Sequence, residues 1–182
     1  MKVMFASDLH GSFYYTNQLI QKFNNGSFDK LLLLGDILYH GPRNDLPLEY
    51  NPKKVIPLLN DIKDKIICVE GNCDAYVDQM VLNFPILKEA CINIDGINYY
   101  MTHGHIYNPK NLLNVSSGVV LYGHTHVIKD EVINNVHYIN PGSVSIPKEI
   151  LIHSYGVIDN GIVNIYNLLT DELVLSVKVK ND

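Results

Sequence analysis

The sequence predicts an α/β fold in which two β-sheets pack together and helices lie outside them. Three observations lead there. Short apolar runs punctuate the chain at 2–7, 30–34, 65–69 and 119–122; helical periodicities separate the early runs; and beyond residue 91 the texture changes to strands joined by turns.

Each apolar run leads into Gly, Asn or Asp, and the second holds four consecutive leucines. Continuous apolar runs of this length read as strands buried on both faces, in a mainly parallel sheet. Between them, Leu19, Ile20 and Phe23 mark one face of a helix that follows Gly11. Val55, Leu58, Leu59 and Ile62 keep the i, i+3, i+4, i+7 rule, with Asn51 as cap and Pro52 in the first turn. Residues 74–82 read as a third, shorter helix. Further on, Asp95-Gly96, Asn134-Asn135 and Asn160-Gly161 mark turns, and 162–167 and 172–179 alternate as half-buried strands. No linker, low-complexity tract or repeat divides the chain, so residues 1–182 read as one domain.

Composition narrows the function classes. A hydrophobic share of 47% excludes a disordered chain, and a net charge of −5 argues against a general grip on nucleic acid. The twelve tyrosines form no stripe with basic residues, so no stacking platform for single strands is expected. The first apolar run reaches Asp8 too soon for a secretory signal, and no run approaches the roughly 20 apolar residues of a membrane helix. Cys68, Cys73 and Cys91 are odd in number and lack metal-pair spacing, which fits a reducing compartment and a cytoplasmic location.

The residues that carry chemistry stand where the runs end. Asp8 and His10 follow the first run, Asp36 the second, Asn72 and Asp74 the third. His103 and His105 stand in Thr-His-Gly-His, and His124 and His126 in Gly-His-Thr-His. Sites of α/β sheets form beyond the carboxyl ends of strands, so these five segments are expected to meet on one rim. In an extended segment, residues i and i+2 point the same way, which would let Asp-x-His and His-x-His each offer two groups together. Imidazole with carboxylate suits Mn, Fe, Zn or Ni better than Ca. Two such cations about 3.5–4 Å apart, sharing a carboxylate, form the usual clamp for in-line displacement at phosphorus. Gly-Asp alone is more often a turn, but five such segments in order carry the metal reading.

Asp8-x-His10, Gly35-Asp36, Gly71-Asn72, His103 and the Gly-His-x-His ending at His126 resemble the calcineurin-like metallophosphoesterase signature, from residue 1 to about 148. Gly41-Pro42-Arg43-Asn44, Gly71-Asn72-Cys73-Asp74 and the run Asn140 to Ser145 narrow the resemblance to the small bacterial YfcE-type phosphodiesterases. The resemblance implies a four-layer αββα sandwich with two packed mixed sheets and a dimetal site among their loops. It implies one metal on Asp8, His10, Asp36 and His126, another on Asp36, Asn72, His103 and His124, and attack on phosphorus by a metal-activated water or hydroxide. Two divalent ions per chain are expected, Mn first, with Ni, Fe, Zn or Mg as alternatives. A small phosphodiester is the expected substrate, no membrane is involved, and a homo-oligomer is plausible.

The general signature has His after Gly-Asn, and this chain has Cys73. A thiol is a weak donor and cannot supply imidazolium, which tilts the reading toward diesters with stable leaving groups. Cys73 is expected to line the pocket, and Cys68 and Cys91 to sit in the core. His40, Arg43 and Asn44 either reach a substrate phosphate or form a hydrogen-bonded surface loop. Asp74 either caps a helix or supports a ligand. His105 is expected only to face the pocket; His137 and His153 have no companions and read as ordinary surface or core residues; Asn140-Pro141-Gly142-Ser143 is a tight turn near the site. A phosphomonoesterase would benefit from His at position 73 and a nuclease from a basic groove. A protein-binding scaffold, like the retromer subunit of that architecture, would have a degraded site, whereas here each expected ligand is present.

Overall fold

The computed structural model describes residues 1–179. Strand β1 (Val3–Ala6) is apolar and buried throughout. Helix α1 (Phe13–Asn25) starts at Ser12, whose side chain accepts from Tyr15 N, and turns Thr16, Leu19, Ile20 and Phe23 inward. After β2 (Lys30–Leu33) comes α2 (Pro52–Asn60), with Asn51 accepting from Lys54 N and Pro52 in the first turn. Val55 and Leu59 are buried there, Leu58 is half-buried, and Ile62 lies past the helix end. Then follow β3 (Ile66–Val69), β4 (Ile86–Leu87), β5 (Ala90–Ile94), β6 (Ile97–Met101) and β7 (Val119–Leu121). The chain closes with β8 (Ile128–Ile133), β9 (Val136–Pro141), β10 (Ser154–Asp159), β11 (Ile162–Asn167) and β12 (Leu173–Lys178).

The helix expected over 74–82 is instead a short 3-10 segment, Tyr76–Met80. Tyr76, Val77 and Met80 face solvent there, so no apolar stripe docks the segment and nothing extends it.

Both sheets are mixed. The larger runs β12-β11-β10-β1-β2-β3-β4, with β1 to β4 parallel and β10 to β12 antiparallel. The smaller runs β5-β6-β7-β9-β8, with β6, β7 and β9 parallel. The 119–122 run therefore belongs to the second sheet and not beside the other three. Burial on both faces is common to all four runs, so apolarity alone does not tell which sheet a run joins. The three expected hairpin turns hold positive φ at both central residues: Asp95 and Gly96, Asn134 and Asn135, Asn160 and Gly161. That geometry matches the right-handed strand twist.

Helices α1 and α2 cover one face of the larger sheet through Met4, Leu31, Leu33 and Cys68. Val3, Phe5, Leu32 and Leu34 point the other way, onto Tyr99, Met101, Val119, Leu121 and Ile139 of the smaller sheet. Each fully buried leucine in this double core is worth about 2 kcal/mol. On the outer face of the smaller sheet, Val120, Tyr122 and Tyr138 pack under Leu113 and Val115, from an irregular segment that holds no helix. The expected pair of packed mixed sheets is present, and this fourth layer is coil. The carboxyl ends of β1, β2, β3, β6 and β7 meet at one rim.

Candidate metal centre

The backbone at the rim is not extended. Asp8, His10, Asp36, His124 and His126 have φ of 59°, 46°, 57°, 67° and 60°. The left-handed region is unfavourable for residues with a Cβ, so the surrounding structure must hold these conformations in place. Asp8 with His10, and His124 with His126, are thus brought together by tight turns and not by strand alternation, which corrects the sequence reading. Glycine is required beside them: a Cβ on Gly71 would meet the Asp36 carboxylate, and one on Gly123 would meet Ser7 Oγ.

Hydrogen bonds clamp the turns. One carboxylate, Asp74, accepts from Asp36 N at 2.8 Å, Ile37 N at 2.7 Å and Gly71 N at 2.7 Å. Asp74 therefore supports two ligand-bearing loops and is no helix cap. Ser143 and Ser145 hydroxyls both donate to Asp8 O at 2.9 Å. Asn140 donates to Gly123 O at 2.7 Å, so the Asn140–Ser145 stretch fastens the first and last ligand segments.

Within the clamp the side chains converge. Nδ1 of His10, His103 and His126 faces the carbonyls of Tyr39, Leu34 and Ile146, which makes each Nδ1 the donor. Each Nε2 is then left with a lone pair aimed at the centre. His126 Nε2 lies 3.3 Å from Asp8 Oδ1 and His10 Nε2 3.7 Å from the same oxygen. Asp36 Oδ2 lies 3.4 Å from His103 Nε2 and 3.7 Å from His10 Nε2. His103 Nε2 is 3.1 Å from Asn72 Oδ1.

Two features show that these groups suit a cation. His10 and His126 set their Nε2 atoms 3.3 Å apart, acceptor against acceptor. Asp8 Oδ1 is buried without a hydrogen-bond partner. Unshared lone pairs in a buried cluster call for a proton or a metal ion. Three groupings place their donor atoms within 4.8 Å of one another: Asp8, His10, His126; Asp8, Asp36, His103; and His10, Asp36, Cys73. His124 reaches the rim, its ring 5.2 Å from that of His103, but belongs to none of the three.

Electrostatics without a metal follow from this packing. Burial pushes Asp8 up, but the imidazoles of His10, His126 and His103 beside it outweigh that and hold the carboxyl well below its ordinary value. Asp36 is likewise lowered, by His103 against the effect of burial. His103 is depressed by burial yet raised to about 9 by Asp36 and Asp8. Burial and the His103 charge lower both His105 and His124. Burial and the Asp36 carboxylate push the Cys73 thiol up to about 12.

A cavity of about 460 Å³ opens beside the cluster, lined by Asp36, Asn72, Cys73, His124 and His126 together with Arg43, Asn44, Thr125 and Lys148. Arg43 and Asn44 thus reach the site. His40 does not line this cavity, and its ring packs between Tyr39 and Tyr50. His105 is exposed, its ring 5.4 Å from that of His103. His137 pairs with Asp130 at 3.0 Å, and His153 stacks on Tyr15, both away from the rim. Cys68 is buried, but Cys91 is exposed and not a core residue, because β5 alternates at the sheet edge. Lys148 was not legible in the sequence: its backbone N bonds His126 O, a contact made only in three dimensions.

Residues 1–160 match the calcineurin-like phosphoesterase superfamily domain. The phosphodiesterase YfcE of Escherichia coli K12 is 41% identical over 181 residues, 98% of each chain. The solved structure of that E. coli phosphoesterase superposes with a TM-score of 0.95, covering 99% of this chain and all of the other. The zinc complex of wild-type Vps29 from Entamoeba histolytica, 17% identical, shares the fold at a TM-score of 0.64 over 99% of this chain and all of that one. From the match of the superfamily domain to most of its length, and from the YfcE likeness end to end, the chain belongs to the calcineurin-like phosphoesterase superfamily.

Proposed function

We propose that the chain, working as one domain over residues 1–182, is a metal-dependent phosphodiesterase that holds two divalent cations, Mn foremost with Ni, Fe, Zn or Mg as alternatives. Asp8, His10, Asp36 and His126 would hold one ion, and Asp36, Asn72, His103 and His124 the other. The observation that carries this reading is the buried convergence of unshared lone pairs from Asp8, His10, His103 and His126 beside an open cavity. The name of the E. coli relative supports the diester class. When bound, such ions polarise phosphoryl oxygens and lower the pKa of a water toward neutrality.

The chain's own groups do the rest. Carbonyls of Tyr39, Leu34 and Ile146 hold three imidazoles in the tautomer that leaves Nε2 free to ligate. Asp74 and the two serines fix the loops, so little reorganisation is needed when substrate arrives. Arg43 offers its planar fork to an anionic group of the substrate at the cavity. Cys73 is a weak proton donor and cannot supply an imidazolium, which favours diesters with stable leaving groups. A cytoplasmic location and self-association belong to the same reading. The free cysteines support the first, and exposed Tyr76, Val77 and Met80 support the second.

The test is a panel of aryl diesters, matching monoesters and duplex DNA, run on stripped protein with Mn, Mg, Ni, Zn and Fe added separately. Turnover on the diester should exceed that on the monoester by about tenfold or more, and DNA should be poorest. Monoester turnover equal to or above the diester's would replace this reading with a phosphomonoesterase. Metal binding with no turnover on any substrate would favour a scaffold.

A further inference from the structure

The chain has a single arginine among its 14 basic residues. It is Arg43, and it lines the cavity beside the metal cluster together with Lys148. Neither side chain has an ion pair or hydrogen-bond partner among the described residues, although the chain carries 19 acidic groups. Among the described residues, Asp36 is the one carboxylate that lines this cavity, and it faces His103 and His10. No Phe, Tyr or Trp among the described residues lines its wall.

From these observations we infer that the substrate is a phosphodiester bearing a second anionic group, a carboxylate or a phosphate, which Arg43 and Lys148 receive. The inference rests on the phosphodiesterase reading above and gives that reading a substrate class. A phosphodiester carries one negative charge. Two dications against Asp8 and Asp36 already leave about two positive charges to meet it. Arg43 and Lys148 are surplus to that need, and in a chain of net charge −5 a surplus of cations in one cavity is a local exception. Arginine's fork matches the two oxygens of a carboxylate or phosphate, and lysine adds a mobile point charge. The wall offers a nucleobase no Phe, Tyr or Trp to stack on, which favours a small polar group. The cavity, about 460 Å³, is large enough for such a substrate.

The test compares three p-nitrophenyl phosphodiesters that share one leaving group and differ in the retained alcohol: ethanol, glycolate and 2-hydroxyethyl phosphate. With Mn-loaded protein, kcat/KM should be at least tenfold higher for one or both charged esters than for the ethyl ester, mostly through KM. Whichever charged ester gains more identifies the source as carboxylate or phosphate. In Lys148→Gln and in Arg43→Gln the ratio of charged to ethyl ester should fall toward one. Turnover of all three esters with equal kcat/KM would overturn the inference and leave the diesterase reading standing. A binding measurement separates the two if no ester is hydrolysed. Calorimetric titration with 3-phosphonopropionate should give at least tenfold tighter binding than propylphosphonate, and Lys148→Gln should remove the difference. Equal affinities, or a difference that survives in Lys148→Gln, would overturn it.

Discussion

Asp36 meets three neighbours with one carboxylate: Oδ1 accepts from Cys73 N at 2.8 Å, while Oδ2 lies 3.4 Å from His103 Nε2 and 3.7 Å from His10 Nε2. Asp36→Asn keeps the shape and removes one negative charge, so the fold should persist by circular dichroism while metal content falls. Turnover should drop at least roughly a hundredfold, about 3 kcal/mol of transition-state stabilisation. The control Asp29→Asn retains an acceptor for Lys2 N and should keep both metal and rate. A folded Asp36→Asn with two metals and normal turnover would remove Asp36 from its shared position. At the neighbouring position, Cys73→His places an imidazole on the cavity wall and should raise monoester relative to diester turnover several-fold. Loss of all activity with metals retained would sink this account of Cys73, and substantial turnover in Cys73→Ala would support it. The ligand types were legible because Asp, His and Asn recur after apolar runs. Lys148 was not, because its tie to His126 crosses sequence distance.

At the scale of elements, the loops after β2 and β3 depend on Asp74, whose two oxygens serve three backbone N–H groups. An amide there offers one oxygen and turns an NH₂ toward donors. Asp74→Asn should therefore cost about 1–3 kcal/mol of stability in urea unfolding and weaken metal binding with it. Unchanged stability would show that the loops hold by packing alone. The Leu19, Ile20 and Phe23 face, the cap Asn51 and the pairs Asp95-Gly96, Asn134-Asn135 and Asn160-Gly161 act locally, which made α1, α2 and three hairpins readable in advance. The segment 74–82 was misread because Tyr76, Val77 and Met80 face solvent and, of its apolar residues, only Leu82 at its end is buried, which the 3.6-residue period cannot reveal. The placement of β7 depended on partners chosen across the fold.

For the whole molecule, pH acts in opposite directions on the metal-free and metal-loaded forms. Without metal, the His103 pKa stands near 9, above its ordinary 6.5, so its pairing stabilises fully below pH 6.5 and is lost as pH climbs through 9. Asp8 and Asp36 are lowered, so their contribution is present above their ordinary 3.8 and fades as acid protonates them. Ligation needs neutral imidazole, so metal-derived stability grows over the same rise in pH. In EDTA, Tm should fall between pH 6.5 and 9, while with saturating Mn the gap between the loaded and stripped proteins should widen. Parallel curves would count against histidine ligation. The two-sheet architecture was legible from the order of elements, but the coil covering the smaller sheet was not, because it rests on contacts of Leu113 and Val115 rather than on any period.

The five left-handed residues at the rim give this molecule a conflict between durability and duty. A chain released from its catalytic work would drift toward glycine at these positions, since each relaxes about 1 kcal/mol of backbone strain. His124 has a half-exposed side chain and φ 67°, so little packing would be lost with it. Stripped of metal, His124→Gly should melt at or above the parent; with Mn the parent should gain and the variant should lag. If the stripped variant instead melts several degrees lower, the left-handed turn at His124 carries no strain worth relieving. Where glycine replaces histidine in a related sequence, retention of the fold together with loss of the enzyme is the expected inheritance.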